Sequence, residues 1–339
     1  MKILIFGLGA IGQRHLRIIK KLCPSSRIAT FRKTRHNILI NDDLSAEPVE
    51  DLCDNLKVKE LFSINQVIEY QPSHVLDCRI PPAHMDIPIE IVNENTKFFV
   101  EKPLTSLPIS KFKLRELFIN KYNNIFVGYH LAQHPLLNKL CALIKDLEII
   151  SYQINYCEFL PAMQPFRDYK AMHEFDETTS GGIEYAFSHA LHLPFFIFKN
   201  KPELISFIKN KESHLGLLTP SESSFHLKHY KSSSKSFFGK IELSYLSHMP
   251  LHTISINTNK NTIFFDIDNA KLKLFNNHSL EEEYSSNINK MELLTLQMAE
   301  FLQVKPPDYL SQYKKYPLCE LNTAIEICKL CEELVVTNN

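Results

Sequence analysis

The feature that most constrains the fold lies at the start of the chain. Gly7, Gly9 and Gly12 come directly after the short apolar run KILIF and open a stretch with helical spacing. This G-x-G-x-x-G pattern is typical of a strand–turn–helix unit that binds a dinucleotide: the first glycine makes the turn, the second admits a pyrophosphate, and the third packs helix on strand. Because a helix N-terminus attracts anions, we predict that Ala10 and Ile11 also contact the cofactor.

The segment that follows the second strand indicates which cofactor is bound. An NAD site has an Asp or Glu about 20 residues after the glycines, which holds the ribose 2′-hydroxyl. Here that segment is TFRKTRH, which contains Arg32, Lys33 and Arg35 and no acid. We therefore predict NADP, bound through Arg32 and Lys33, with NAD as the alternative. The other interpretation of the cluster is a solvated basic loop.

Alternation of strands and helices predicts one parallel sheet in the first part of the chain. The predicted strands are KILIFG, RIATFR, HVLDCRI, KFFVEKP and NIFVGYH. The predicted helices are AIGQRHLRIIKKLC, VKELFSINQVIEY, MDIPIEIVNEN and SKFKLRELFINKY. After about residue 146, strand-like segments follow one another, apart from the segment near residues 183–198 and two late helices, which indicates a mainly antiparallel sheet.

The length of 339 residues favours two domains. We predict an α/β protein with an N-terminal Rossmann domain, a doubly wound parallel sheet, over residues 1–125. Residues 126–339 are predicted to form a C-terminal α/β domain with an open, mainly antiparallel sheet, used for substrate binding and oligomerisation. Its last helix is free to pack back on the first domain.

Composition excludes several classes of partner. Lys+Arg and Asp+Glu both number 38, so there is no overall positive field for nucleic acid. No run of 18 apolar residues is present, and the first apolar run is too short for a signal peptide, so we expect no membrane partner and a cytoplasmic location. Cys328 and Cys331 lie in an amphipathic helical pattern without a second ligand pair, and we predict no metal site.

Three further segments show a family resemblance. Glu101-Lys102-Pro103 follows a predicted parallel strand, and the later segments are VGYHLAQHPLL and FLPAMQPFRDYK. With the glycine motif, they make the chain similar to the Gfo/Idh/MocA oxidoreductases, and to a subgroup of that family found among bacterial surface-glycan genes. The resemblance implies hydride transfer between NAD(P) and sugars, cyclitols or related molecules.

The resemblance also implies roles for residues near the nicotinamide. Lys102, at the carboxyl end of a strand, is expected to relay the proton that accompanies hydride transfer. Glu101 is expected to orient its neighbours or to bind the cofactor ribose. Pro81 and His84 occupy the family's loop on the nicotinamide side and are expected to shape it.

Substrate contacts follow from the same resemblance. His130 stands where the family usually has Asn, and Arg167, Asp168 and Tyr169 match its R-D-Y. Arg167 is suited to a substrate carboxylate through a bidentate pair. The alternative is a structural ion pair with a neighbouring acid.

The stretch SGGIEYAFSHALHLPFFIF matches the family's histidine segment but lacks its acids. In one hypothesis His189 acts on the substrate hydroxyl together with Lys102, and His192 replaces an orienting carboxylate. In a second, His189 and His192 bind a metal, with Glu184 as the only further local ligand. In a third, both are core histidines in a site that has lost its chemistry.

Together these features predict an NADP-dependent oxidoreductase acting on a sugar-like alcohol or ketone, such as a nucleotide sugar, a nonulosonic acid or a cyclitol. Lys102, His189 and His192 are its predicted catalytic residues. The alternative is a catalytically weakened homologue that binds cofactor or sugar. Because an open sheet face needs covering, a homodimer or homotetramer through the C-terminal sheet is expected.

Overall fold

A computed structural model describes residues 1–81, 83–107, 109, 124–231 and 235–336. The predicted helix SKFKLRELFINKY lies outside these residues. Within them, no helix is long and apolar enough to cross a membrane.

The strands, in chain order, are β1 Lys2–Phe6, β2 Arg27–Phe31, β3 Ile38–Ile40, β4 Ala46–Pro48, β5 Lys59–Leu61, β6 His74–Asp77, β7 Lys97–Glu101, β8 Ile125–Gly128, β9 Ile149–Phe159, β10 Glu203–Asn210, β11 Glu222–Tyr230, β12 Ser236–Ser244, β13 Leu246–Thr258, β14 Thr262–Asp266, β15 Lys271–Asn276, β16 Ser279–Ser285 and β17 Cys319–Glu320. The α-helices are α1 Ala10–Leu22, α2 Leu52–Asn55, α3 Ile64–Tyr70, α4 Pro135–Leu143, α5 Leu160–Met163, α6 Glu177–Ser180, α7 Ile183–Ala186, α8 Ser188–Phe198, α9 Lys290–Phe301 and α10 Leu321–Val336.

The first compact unit comprises Met1–His130 and Lys290–Ile325. Its sheet has the order β17-β8-β7-β6-β1-β2-β5, and every neighbouring pair is parallel except β17 with β8. β2 and β5 lie on one side of β1, whereas β6, β7 and β8 lie on the other, so the strand order reverses beside β1. Ligands of open α/β sheets bind beside such a reversal, at the carboxyl ends of the strands.

The core of this unit explains why the late helix α9 belongs to it. Ile5 of β1, Leu16 of α1 and Phe99 of β7 are buried in one apolar cluster with Met298 and Phe301 of α9. Burial of these side chains removes a continuous apolar surface from water. The glycine loop between β1 and α1 therefore rests on a rigid base.

The second compact unit comprises Leu131–Asn289 and Glu326–Asn339. Its sheet has the order β10-β11-β12-β9-β13-β14-β15-β16, and all neighbours are antiparallel except β12 with β9. In β12, alternate residues are buried, as expected of a sheet with one covered face. The predicted α/β fold, with a parallel sheet followed by a mainly antiparallel one, is confirmed.

Two local predictions are wrong. VKELFSINQVIEY is a strand, β5, followed by a shorter helix, α3, because Ser63 caps that helix with its side chain. MDIPIEIVNEN contains only a short 3₁₀ turn, Ile89–Ile91, which begins after Pro88. The domain boundary at residue 125 stays a prediction.

Candidate functional site

The glycine loop is shaped by its backbone. Gly7 has φ of 87°, in the left-handed region that glycine favours. A Cβ on Gly12 would lie 2.2 Å from the carbonyl oxygen of Gly7, whereas nothing lies within 4 Å of a Cβ placed on Gly9. Gly9 also caps α1 without a side-chain hydrogen bond. The N-terminus of α1, with half-buried Ala10 and Ile11, is thus an open cradle of amides that fits a pyrophosphate.

Gln13, which the sequence analysis missed, anchors this loop. Its fully buried amide donates to the carbonyl oxygens of Leu8 (3.1 Å) and Ile38 (2.9 Å), and its oxygen accepts from the N–H of Ile40 (2.9 Å). The side chain therefore ties the glycine turn to β3. Its partners are backbone groups distant in sequence, so the sequence held no signal for it.

At the predicted ribose end, Arg32 is held by an acid. Arg32 donates from Nε to Glu60 Oε1 (3.0 Å) and from Nη2 to Oε2 (2.8 Å), and from Nη1 to the carbonyl oxygen of His36 (3.3 Å). Burial raises the pKa of Glu60, but the hydrogen bonds and charge of Arg32 outweigh it and lower that pKa overall. Glu60 lies on β5, beside β2.

Two more basic residues lie in the same loop. Lys33 is exposed. Nε of Arg35 lies 3.3 Å from Oε1 of Glu60, and its guanidinium is centred 4.7 Å from the ring of Phe62. Phe62 is an exposed aromatic side chain just after β5. The loop thus combines three cations with one acid.

At the end of β7, Glu101 is buried against His15. Its Oε1 lies 2.6 Å from Nε2 of His15, and its Oε2 accepts from the backbone N–H of Lys102 (3.3 Å). The Lys102–Pro103 peptide bond is cis. Glu101 therefore fixes the backbone from which Lys102 extends.

His84 joins two loops near the same edge of the sheet. Its Nδ1 lies 2.9 Å from the carbonyl oxygen of Pro103, and its Nε2 lies 2.6 Å from that of Arg79. Pro81, between these loops, is also buried. His84 thus links the backbone after Arg79 to that after Pro103, and the loop-shaping role expected of His84 and Pro81 stays a prediction.

Arg79 is a second residue that the sequence analysis missed. It follows β6 at the topological switch point and forms a bidentate pair with Asp77, at 2.8 and 2.7 Å. Its guanidinium is centred 4.8 Å from the ring of Phe6, and its Cγ lies 3.2 Å from the Cβ position of Gly7. The sequence did hold a signal for Arg79: it is a basic residue just after a strand beside the topological switch point, where ligands of such sheets bind.

In the second unit, two glycines introduce the histidine segment. Gly181 and Gly182 have φ of 78° and 107°, and they separate α6 from α7. A break at Phe187 then separates α7 from α8, which begins at Ser188. His189 and His192 are thus both in the first half of α8, and both are buried.

The ring of His189 faces an aromatic and charged cluster on the sheet. It stacks on Tyr156 at a centroid distance of 6.3 Å, and the ring of Tyr156 also lies 4.0 Å from that of His252 and 5.3 Å from that of Phe187. His252 Nδ1 lies 2.6 Å from Asp268 Oδ1, and its Nε2 lies 3.1 Å from Glu158 Oε1. Burial lowers the pKa of His252, but these two carboxylates outweigh it and raise the pKa to about 9. His252 is therefore a cation at neutral pH.

His192 has the opposite electrostatic environment. Burial, together with the charge of Lys199, lowers its pKa to about 3, so its ring is neutral at neutral pH. The ring lies 5.7 Å from that of Phe196. It does not supply the negative charge of the family's orienting carboxylate.

Glu184, the acid nearest to His189 in sequence, is used elsewhere. Its Oε1 lies 2.9 Å from Nζ of Lys209 on β10, and the two side chains are 0% and 5% exposed. A carboxylate in this position anchors α7 to the sheet. Among the residues that the structure describes, no three His, Cys, Asp or Glu side chains form a metal cage.

The predicted substrate residues fall into two groups. Asp168 caps a 3₁₀ turn by accepting from the N–H of Lys170 (3.0 Å), and Tyr169 donates to the carbonyl oxygen of Leu215 (3.2 Å). Arg167 is exposed, its guanidinium is centred 5.2 Å from the ring of Phe166, and it forms no ion pair with an acid in the described part of the chain. Its guanidinium is therefore available to an anion.

His130 belongs to the first unit, at its junction with the second in sequence. It begins a 3₁₀ turn, His130–Gln133, directly after β8. The side-chain oxygen of Gln297, in α9, accepts from the backbone N–H groups of His130 (3.1 Å) and Tyr129 (3.2 Å). The backbone around His130 is thus fixed to the core of its own unit.

No family model matches the chain, and no curated protein matches it. Solved structures do match over nearly the whole length. UDP-N-acetylglucosamine 3-dehydrogenase GnnA from Acidithiobacillus ferrooxidans has 11% identity over 99% of this chain and 97% of its own, with a TM-score of 0.71. Levoglucosan dehydrogenase, in complex with NADH and levoglucosan, has 11% identity over 99% and 96%, with a TM-score of 0.72.

A third match has a different substrate. Biliverdin reductase from a Synechocystis species, in complex with biliverdin and NADP⁺, has 13% identity over 98% of both chains and a TM-score of 0.69. At these identities the likeness establishes the fold.

Proposed function

We propose that the chain is a nicotinamide-dependent oxidoreductase of the Gfo/Idh/MocA type, with NADP as its preferred cofactor. The observation that supports this most directly is the open amide cradle at Gly9, beside the close approach of Gly12 to Gly7. A pyrophosphate fits such a cradle, since it needs uncapped amides and no intruding side chain. Arg32, Lys33 and Arg35 would then lie toward the adenosine ribose.

The residues of this chain supply the proton chemistry. When bound, the nicotinamide ring accepts or gives a hydride at its C4 atom. Lys102, whose backbone is fixed by Glu101, relays the proton of the reacting hydroxyl. His189 positions that hydroxyl, and Tyr156 packs against its ring.

For substrate, we propose a sugar-like alcohol or ketone. Dehydrogenases of a nucleotide sugar and of levoglucosan share the fold, which supports this class. Arg167 adds a preference for a substrate with a carboxylate, such as a nonulosonic acid, because its guanidinium is exposed and pairs with no acid among the described residues.

A weakened, cofactor-binding homologue is the second candidate. It is favoured by the pair between Glu184 and Lys209, because the one acid of the histidine segment is engaged with β10. The neutral state of His192 points the same way. A histidine that loses its orienting carboxylate loses most, but not all, of its rate in other systems.

Two further properties complete the proposal. We place the chain in the cytoplasm, which fits eight cysteines that are all free thiols. We also propose a homodimer or homotetramer through the open face of the C-terminal sheet, where Phe238 and Ile208 are exposed. Size-exclusion chromatography with light scattering tests the second property, and a monomer would contradict it.

The central test combines cofactor binding with turnover. NADPH and NADH are titrated by fluorescence, and turnover is then measured on nucleotide sugars, nonulosonic acids and cyclitols. Turnover that Lys102→Ala abolishes and Lys21→Ala preserves would support the enzyme; Lys21 is an exposed control on the same unit. Cofactor binding without any turnover would favour the weakened homologue. Binding of neither cofactor would refute both.

A further inference from the structure

The sequence pattern places no acid near the expected ribose site, but the fold brings Glu60 there from another strand, β5. β5 pairs in parallel with β2, with Thr30 opposite Glu60, and Arg32 is the first residue after β2. Glu60 therefore reaches the same end of the sheet as the basic loop. Its side chain accepts two hydrogen bonds from Arg32, whose side chain is 4% exposed, while that of Glu60 is 6% exposed.

The pair removes the part of Arg32 best suited to a phosphate. A guanidinium grips an oxyanion through two parallel N–H groups. In Arg32 the Nε and Nη2 groups are directed to Glu60, and Nη1 donates to the carbonyl oxygen of His36. Because both partners are shielded from water, this ion pair is stronger than one at the surface.

The remaining charges of the loop are less constrained. Lys33 is exposed, and Arg35, which is 49% exposed, lies 3.3 Å from Glu60. A cofactor 2′-phosphate near this loop would therefore meet Lys33 and Arg35 first. It would also meet the carboxylate of Glu60, which repels a phosphate and not a hydroxyl.

We propose that Glu60 is a specificity-determining residue for the cofactor: by holding Arg32, it keeps the preference for NADP over NAD small. The inference rests on the proposed function, since it requires a nicotinamide dinucleotide. It also explains how a loop with three cations can accept a cofactor that lacks the 2′-phosphate. Glu60 thus acts through Arg32, unlike the acid after β2 of NAD sites, which holds the ribose hydroxyl itself.

The test is the ratio of dissociation constants for NADPH and NADH, measured by fluorescence titration. Glu60→Gln keeps the shape and one hydrogen-bond acceptor for Arg32 but removes the charge. We expect NADPH to bind about five- to tenfold more tightly and NADH to change less than about twofold. Glu69→Gln, an exposed acid at the end of α3, is the charge-matched control and leaves the ratio unchanged.

Arg32→Gln gives the opposite shift and decides the question if Glu60→Gln does not fold. It leaves the carboxylate of Glu60 with Arg35 as its remaining ion-pair partner, so NADPH should weaken by at least about tenfold relative to NADH. The double variant Arg32→Gln/Glu60→Gln should return toward the wild-type ratio. A ratio that stays within about twofold in every variant would overturn the inference and leave the proposed function intact. Binding of neither cofactor by wild type would overturn both.

Discussion

The glycine loop of the first unit and the histidine segment of the second are both entered through glycines with positive φ, yet they are held in different ways. Around Gly7, Gly9 and Gly12, the important atoms are backbone carbonyls and amides, and the space beside Gly9 is open. Around His189, the important contact is the ring of Tyr156 on β9, which in turn packs against His252 on β13. In the first region geometry depends on the absence of side chains, and in the second on buried charges.

This difference determines how each region should fail. An added methyl group in the glycine loop either collides with backbone or enters the phosphate cradle, so its effect depends on the position. In the histidine segment, removing one partner of an ion pair leaves a charge without water or counterion, which destabilises the whole unit. Matched substitutions in the two regions can therefore distinguish a steric cause of failure from an electrostatic one.

The largest effect is expected at the ion pair that anchors α7. Lys209→Met leaves the fully buried Glu184 without its cation, and we expect a loss of about 3–5 kcal/mol in the free energy of unfolding, measured in urea. The double variant Glu184→Gln/Lys209→Met should recover most of it. Lys211→Met is the matched surface control, because Lys211 and Glu177 are 64% and 42% exposed, and it should change little. A loss below about 1 kcal/mol for Lys209→Met would contradict this account.

In the glycine loop, Gly12→Ala should lower the free energy of unfolding by about 2–3 kcal/mol, because its Cβ would lie 2.2 Å from the backbone oxygen of Gly7. Gly9→Ala has no atom within 4 Å of its Cβ, so the same methyl group should leave the melting temperature unchanged. It should instead weaken NADPH binding, because it occupies the cradle. If both variants melt alike and bind alike, the two glycines do not have the separate functions described here.

The contrast also shows what can be predicted from sequence. The β1–glycine–α1 unit was predictable because its contacts lie within a few residues. The alternation of strands and helices predicted the first sheet, and the series of strand-like segments after about residue 146 predicted the second. Glu60, Lys209 and Asp268 were not predictable as partners, since each reaches its partner only after the sheets have formed. Arg32 and Glu60, for example, are separated by 28 positions. The strand β5 was not predicted, because three residues are too few to show the alternation of apolar and polar side chains that marks a strand.

His252 provides a pH test of the charged cluster. Its pKa is raised to about 9 in the folded protein, against about 6.5 in the unfolded chain. The stabilisation of the folded protein by protonated His252 is therefore fully present below pH 6.5 and is lost as the pH rises through 9. Between pH 7 and 10 we expect a loss of about 2 kcal/mol in the unfolding free energy that His252→Gln does not show. Equal pH dependence in both proteins would mean that the carboxylates of Glu158 and Asp268 do not hold a cation.

His192 should respond in the opposite direction. Its pKa of about 3 lies below the unfolded value, so its contribution is present above about pH 6.5 and is lost as the pH falls toward 3. Lowering the pH from 6.5 to 5.5 should reduce the free energy of unfolding of the wild-type protein by about 1 kcal/mol. His192→Leu should not show this loss. The subtraction is needed because His74, His134 and His229 also have lowered pKa values. Turnover that survives His192→Leu would place this histidine in the core and not in the chemistry.

The smallest effect is expected at Lys33, where an exposed charge acts without a packed partner. Lys33→Gln should leave the melting temperature unchanged and raise the dissociation constant of NADPH about threefold at low salt, because only its attraction to the 2′-phosphate is lost. The difference should shrink at about 0.5 M salt, since the Debye length then falls to a few ångströms. NADH, which lacks the phosphate, should bind both proteins equally. A loss that persists at high salt or extends to NADH would mean that Lys33 shapes the loop by contact, as Gln13 does, and not by charge.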